Sequence, residues 1–158
     1  MSGVVNLFFS HGSSDSKGVC IGFTKNFDAK LEKISCDNNG RIIIIDLILD
    51  DEKYLLINLY NANTESEQLN TINCLNNLLS NHNLDGDYKP IFTGDLNFIF
   101  DTNLDALGGT PTLKTKSLAA IFKLLDKLDV CDIFRIRHPN KKRFTFRQKK
   151  QEQRNSPS

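Results

Sequence analysis

Between Val4 and Tyr60 the apolar side chains fall at every second position or in short unbroken runs, which is the period of strands and not of helices. Residues 4–9, 19–23, 29–36, 41–49 and 54–60 read as successive strands, separated by Gly, Asn and Asp clusters that suit turns. Asp37-Asn38-Asn39-Gly40 and Asp50-Asp51-Glu52-Lys53 supply hairpin loops. Four consecutive isoleucines, Ile42 to Ile45, predict a strand covered on both faces. After Tyr60 the period changes. Thr64 as N-cap and Glu67 three residues on form a capping box, opening a helix that turns Leu69, Ile72, Leu75 and Leu79 inward and ends within residues 81–86. A second helix is predicted over residues 113–128 after Pro111, with Leu118, Ile121, Phe122, Leu125 and Leu128 as its core face. Together these elements predict two packed sheets with helices outside, a four-layer α/β/β/α sandwich.

Length and composition fit one globular domain. With 158 residues and 39% hydrophobic positions the chain can build a real core, over residues 1–150, while the polar residues 151–158 are expected to be a disordered tail. No apolar run is long enough to span a bilayer, and residues 1–9 lack a secretory pattern, so the expected location is intracellular, in nucleus or cytoplasm. Cys20, Cys36, Cys74 and Cys131 are widely spaced and read as reduced thiols, mostly buried, without a zinc or redox pairing. The net charge of +1 conceals a division: residues 135–158 hold nine Lys or Arg against Glu152, a charge of +8, leaving −7 on residues 1–134. A basic segment interleaved with Phe144 and Phe146 suits a polyphosphate partner, although beyond Lys149 a solvated tail explains the charge equally well.

Candidate chemistry centres on Ile91-Phe92-Thr93-Gly94-Asp95-Leu96-Asn97-Phe98, where an apolar strand runs into a Gly-Asp-x-Asn turn. Asp95 there could take a proton from water and Asn97 could orient it, as general-base hydrolysis requires. Alone the motif is weak, because Gly, Asp and Asn also make ordinary tight turns. Its companions are Ile57-Asn58-Leu59-Tyr60-Asn61-Ala62-Asn63, another strand ending in polar groups, and Arg143-Phe144-Thr145-Phe146-Arg147. His11, His82 and His138 lie in stretches read as polar loops and turns, and none is a catalytic candidate.

In their order and separation these three motifs resemble the endonuclease/exonuclease/phosphatase superfamily, most closely the apurinic-type endonuclease domain of non-LTR retrotransposons. Phe8-Phe9-Ser10-His11-Gly12-Ser13-Ser14, Lys17-Gly18-Val19-Cys20-Ile21 and the stretch from Asp129 through His138-Pro139 extend the likeness over nearly the whole chain. The resemblance implies the same four-layer fold and Mg²⁺- or Mn²⁺-assisted hydrolysis of DNA phosphodiesters, with a reverse transcriptase on the same chain in full-length relatives. It implies Asp95 as general base, Asn97 as its partner, Tyr60 as donor to the phosphoryl oxygens, and Asn63, Arg143, Thr145 and Arg147 as substrate contacts. The family's Asn and metal-binding Glu would precede Met1, its Asp-His pair is not found, and the metal ligands in this chain are therefore not identified. The expectation is a domain truncated at both ends with weak or no activity. Alternatives are an inactive DNA-binding remnant and a phosphomonoesterase of the same superfamily.

Overall fold

The structure, a computed structural model, describes residues 4–13, 16–82, 87–107, 114–142 and 146–147. Pro111, Leu113, Arg143, Thr145 and the expected tail at 151–158 lie outside them. The fold is mixed, with sheets and helices. The chain divides into two units, Met1–Asn97 with Lys116–Val130, and Phe98–Thr115 with Cys131–Ser158, and each is described by itself.

In the first unit β1 (Val4–Ser13) and β2 (Ser16–Thr24) form an antiparallel hairpin. A four-stranded sheet follows in the order β3-β4-β5-β6, made of β3 (Lys30–Cys36), β4 (Ile42–Leu49), β5 (Glu52–Tyr60) and β6 (Tyr88–Asp95). The first three strands pair antiparallel through short turns, whereas β5 and β6 are parallel, so their connection must cross over. Helix α1 (Glu65–Leu79) makes that crossing.

Strand β4 is the centre of the core. Ile42 to Ile45 are all fully buried, each contributing roughly 1.5–3 kcal/mol. Alternation sends Ile43, Ile45 and Leu47 towards the hairpin, where they cluster with Val19 and Phe23, while Phe8, Ile21, Leu56 and Tyr60 pack around them. Ile42, Ile44, Leu55, Ile57 and Leu59 occupy the opposite face, equally buried. Buried side chains of α1 (Ile72, Leu75, Leu79) and of α3 (Thr115–Lys127; Ile121, Leu124) supply the helical side.

Several expectations are corrected. The β4–β5 turn has two residues instead of four: Asp50 and Asp51 both take positive φ (52° and 62°), the geometry that matches strand twist, and β5 starts at Glu52. Thr64 is the N-cap of α1, but its hydroxyl donates to Glu67 (2.8 Å) and makes no bond to the helix backbone. Leu69 is half-buried. In α3 the buried line is Ser117, Ile121 and Leu124, while Phe122 is 49% exposed and Leu118 and Leu125 are half-buried. A polar dock sets that rotation, since Ser117 Oγ donates to Gln68 Oε1 (2.7 Å) and the Lys116 N–H to Glu65 (2.8 Å). His82 is no loop residue at all. It is buried, with Nδ1 against both Asp46 oxygens (2.8 and 2.9 Å) and Nε2 against Ser35 Oγ (2.9 Å), tying the end of α1 to the sheet. His11 sits on β1, stacked on Phe9. All four cysteines are free thiols, but Cys20 and Cys131 are exposed and the other two half-buried.

The second unit contains α2 (Thr102–Asp105), β7 (Ala106–Leu107), α4 (Ile133–Arg137) and β8 (Phe146–Arg147), with β7 and β8 parallel. The expected strand across residues 143–147 is described only at its last two. Asp101 caps α2 through a carboxylate accepting the Asn103 and Leu104 N–H groups, and Asp132 caps α4 by accepting the Arg135 N–H. Helices of four and five residues have too few turns to show a period, so pattern alone does not reveal them. Arg135 binds Asp105 and the Lys141 carbonyl (3.0 Å), joining the unit's segments. No helix among the described residues is long and apolar enough to cross a membrane.

Candidate active site

Parallel pairing of β5 with β6 decides where the two motifs meet. The register sets Leu59 opposite Gly94 and Tyr60 opposite Asp95. In-register neighbours project to one face, so the phenol and the carboxylate leave the sheet side by side, on the hairpin side. Gly94 is needed for this approach. Its φ is +124°, and a Cβ there would come within 2.0 Å of the Leu59 carbonyl oxygen.

Beyond Asp95 the chain is held by a compact hydrogen-bond set. The Asn61 N–H donates to the Asp95 carbonyl (2.8 Å), and the Asn97 N–H donates to Asp95 Oδ1 (3.0 Å). Asn97 takes φ 51°, a left-handed turn that Asn tolerates better than most residues. Its Nδ2 donates to the Asn61 carbonyl (2.8 Å), so this amide joins the two strand ends to each other. Asp95 itself is exposed and Tyr60 half-buried.

Sequence reasoning missed two contributors. Gln68 of α1 is fully buried and donates to the carbonyls of both Ala62 (2.9 Å) and Asn97 (3.0 Å), clamping the segments that leave β5 and β6. It sits among polar neighbours and carries no pattern signal. Arg41 immediately precedes β4; its carbonyl accepts from the Tyr60 N–H (2.8 Å), and its guanidinium lies 5.3 Å from the Tyr60 ring centroid while donating to the Tyr60 carbonyl (3.2 Å). A signal for Arg41 existed. Counting outward pair by pair from a two-residue Asp50-Asp51 turn reaches Arg41 opposite Tyr60, whereas a four-residue loop misplaces it.

Of the residues singled out from sequence, Tyr60, Asp95 and Asn97 come together at one end of the sheet. Asn63 is exposed just before the Thr64 N-cap, on the segment leaving β5. Arg143 and Thr145 lie outside the described residues, as does the Arg147 side chain. The fully buried Asn61 adds a further feature: its Oδ1 accepts from the Ala62 N–H (2.9 Å), but its Nδ2 has no hydrogen-bond partner among the described residues.

Among the described residues the donor set does not by itself build a site for a resident Mg²⁺ or Mn²⁺. Among the described residues no three His, Cys, Asp or Glu side chains gather, and Asp95 offers a single carboxylate already accepting from a backbone N–H. A cation of this kind wants six oxygen ligands, several of them from water or substrate.

No family model matches the chain. Among solved structures it is similar to a truncated TDP2 of Caenorhabditis elegans, at 15% identity and a TM-score of 0.43, over 60% of this chain and 41% of that one. It is also similar to a D. rerio TDP2 humanized by 14 mutations, at 19% identity and a TM-score of 0.41, over 60% of this chain and 44% of that one. The chain thus spans less than half the length of either.

Proposed function

We propose that the Tyr60–Asp95 strand end belongs to a DNA phosphodiesterase, of the kind with which a non-LTR retrotransposon nicks its target, and that turnover in this chain is low. The observation that carries the reading is the register of β5 against β6, which sets a phenol donor beside an exposed carboxylate. In the proposed reaction Asp95 accepts a proton from water as the water oxygen attacks phosphorus, the Tyr60 hydroxyl donates to a non-bridging oxygen as charge builds there, and the bond from phosphorus to the departing sugar oxygen breaks, that oxygen taking a proton from solvent. Asn97, with its Nδ2 on the Asn61 carbonyl and its backbone N–H on Asp95, also positions the carboxylate in this reading. The basic segment 135–158 would hold the DNA backbone, in nucleus or cytoplasm. No step is written through a metal ion.

A nicking assay on supercoiled DNA in Mg²⁺ buffer tests this. Slow relaxation is expected, falling by roughly 100-fold or more in Asp95→Ala and by on the order of 100-fold in Tyr60→Phe. Relaxation that survives Asp95→Ala would overturn the assignment. The charge division favours one second reading, a DNA-binding remnant: salt-dependent binding with no cleavage, unchanged by Asp95→Ala, would select it.

A further inference from the structure

Arg41 is an uncommon arginine in this fold. It is half-buried, yet among the described residues its guanidinium makes no ion pair, and only one hydrogen bond, to the Tyr60 carbonyl, engages its N–H groups. A guanidinium carries five N–H donors in a planar fork, and four of these make no bond to the described residues. A partly desolvated cation without a counter-charge is unfavourable unless an anion completes it.

Its orientation is also fixed. The Arg41 and Ile42 N–H groups both donate to Asp37 Oδ1 (2.8 Å each), and the same oxygen accepts from the Ser10 hydroxyl of the hairpin (2.8 Å). The backbone before the side chain is therefore pinned from two sides, and the Tyr60 ring supports the guanidinium from below. Pairing across β4, β5 and β6 then sets cation, phenol and carboxylate in one row, at about 4.8 Å per strand.

We propose that Arg41 is a phosphate-binding residue of this strand end, its free N–H groups taking the non-bridging oxygens of a phosphate group held against Tyr60 and Asp95. The inference rests on the phosphodiesterase reading for the identity of the ligand, but not for the existence of the anion site. The fork geometry suits two oxygens of one phosphate, which a lysine could not match as a pair.

Two measurements test it on the full chain. Binding of a fluorescein-labelled DNA duplex, without Mg²⁺ and over a salt series, should weaken about 10-fold in Arg41→Met, with the salt slope shallower by about one. Arg41→Lys should restore the slope but only part of the affinity, which a packing role would not produce. Arg41→Met that stays folded and binds within twofold of the parent at an unchanged slope would overturn the proposal. Should that variant not fold, the parent chain decides: Nε–H resonances of arginine, followed by NMR while dimethyl phosphate and then inorganic phosphate are added, should show a saturable shift absent from Arg41→Lys. No such shift overturns the proposal. A response to inorganic phosphate without DNA binding supports the anion site and assigns it to a phosphomonoester. Binding lost in Arg41→Met without any nicking by the parent chain would sink the nuclease reading and leave this one standing, whereas nicking by the parent that is unaltered in Arg41→Met would do the reverse.

Discussion

At Gly94 a single missing Cβ sets the spacing of the candidate site. Any side chain there would meet the Leu59 carbonyl and strain a φ of +124°, so Gly94→Ala is expected to cost roughly 2–4 kcal/mol in urea unfolding and to separate Tyr60 from Asp95. An Ala variant as stable as the parent would show that the β5–β6 approach relaxes without cost. The cysteines give a second check at this scale. Burial, reinforced by the Asp37 carboxylate, pushes the Cys36 and Cys74 thiols above their ordinary value, so less thiolate is present at mildly alkaline pH. Mass spectrometry during timed alkylation should find Cys20 and Cys131, both exposed, modified first. The Gly-Asp-x-Asn residues were legible in sequence because a tight turn and a catalytic carboxylate draw on the same residue types. Arg41 was not, because its place depends on the length of a turn in the next loop.

Elements differ in what anchors them. Helix α1 is fastened less by its cap than by its far end, where His82 bonds to Asp46 and Ser35. Thr64→Ala should therefore cost under about 0.5 kcal/mol, below the ~1 kcal/mol of an ordinary N-cap, because its hydroxyl makes no backbone bond. Asp46→Ala should cost about 2–4 kcal/mol, since it leaves the buried His82 ring without its carboxylate. Hydrogen exchange should show the last turn of α1 opening in the second variant and not the first; equal effects would mean that the His82–Asp46 bond contributes little. Existence of β1 to β5 and α1 was readable from local pattern, because the strands carry alternating or unbroken apolar runs and α1 a helical period behind a Thr64–Glu67 capping box. The rotation of α3 was not, because a buried Ser117–Gln68 bond outweighed exposure of Phe122, and polar contacts leave no mark in a hydrophobic pattern.

Across the whole molecule the charge is divided, with −7 on residues 1–134 and +8 beyond. If DNA is the partner, replacing Lys141, Lys142, Lys149 and Lys150 with Gln should flatten the salt slope of binding by up to about 4, while the urea midpoint stays put. A slope that does not change would assign the affinity to other residues. Sequence by itself determined the strand order of the first sixty residues, the doubly covered Ile42–Ile45 core and the types of residue available for chemistry, because period and composition are local properties. Only the tertiary structure decided that Tyr60 and Asp95 are neighbours, that Asn97 binds the Asn61 carbonyl, that His82 is a buried anchor and that Arg41 lies over a phenol. Those relations depend on strand register, crossover and turn length, which bring together residues such as Asn61 and Asn97, or Asp46 and His82, 36 positions apart, and leave no imprint on the neighbours of either partner.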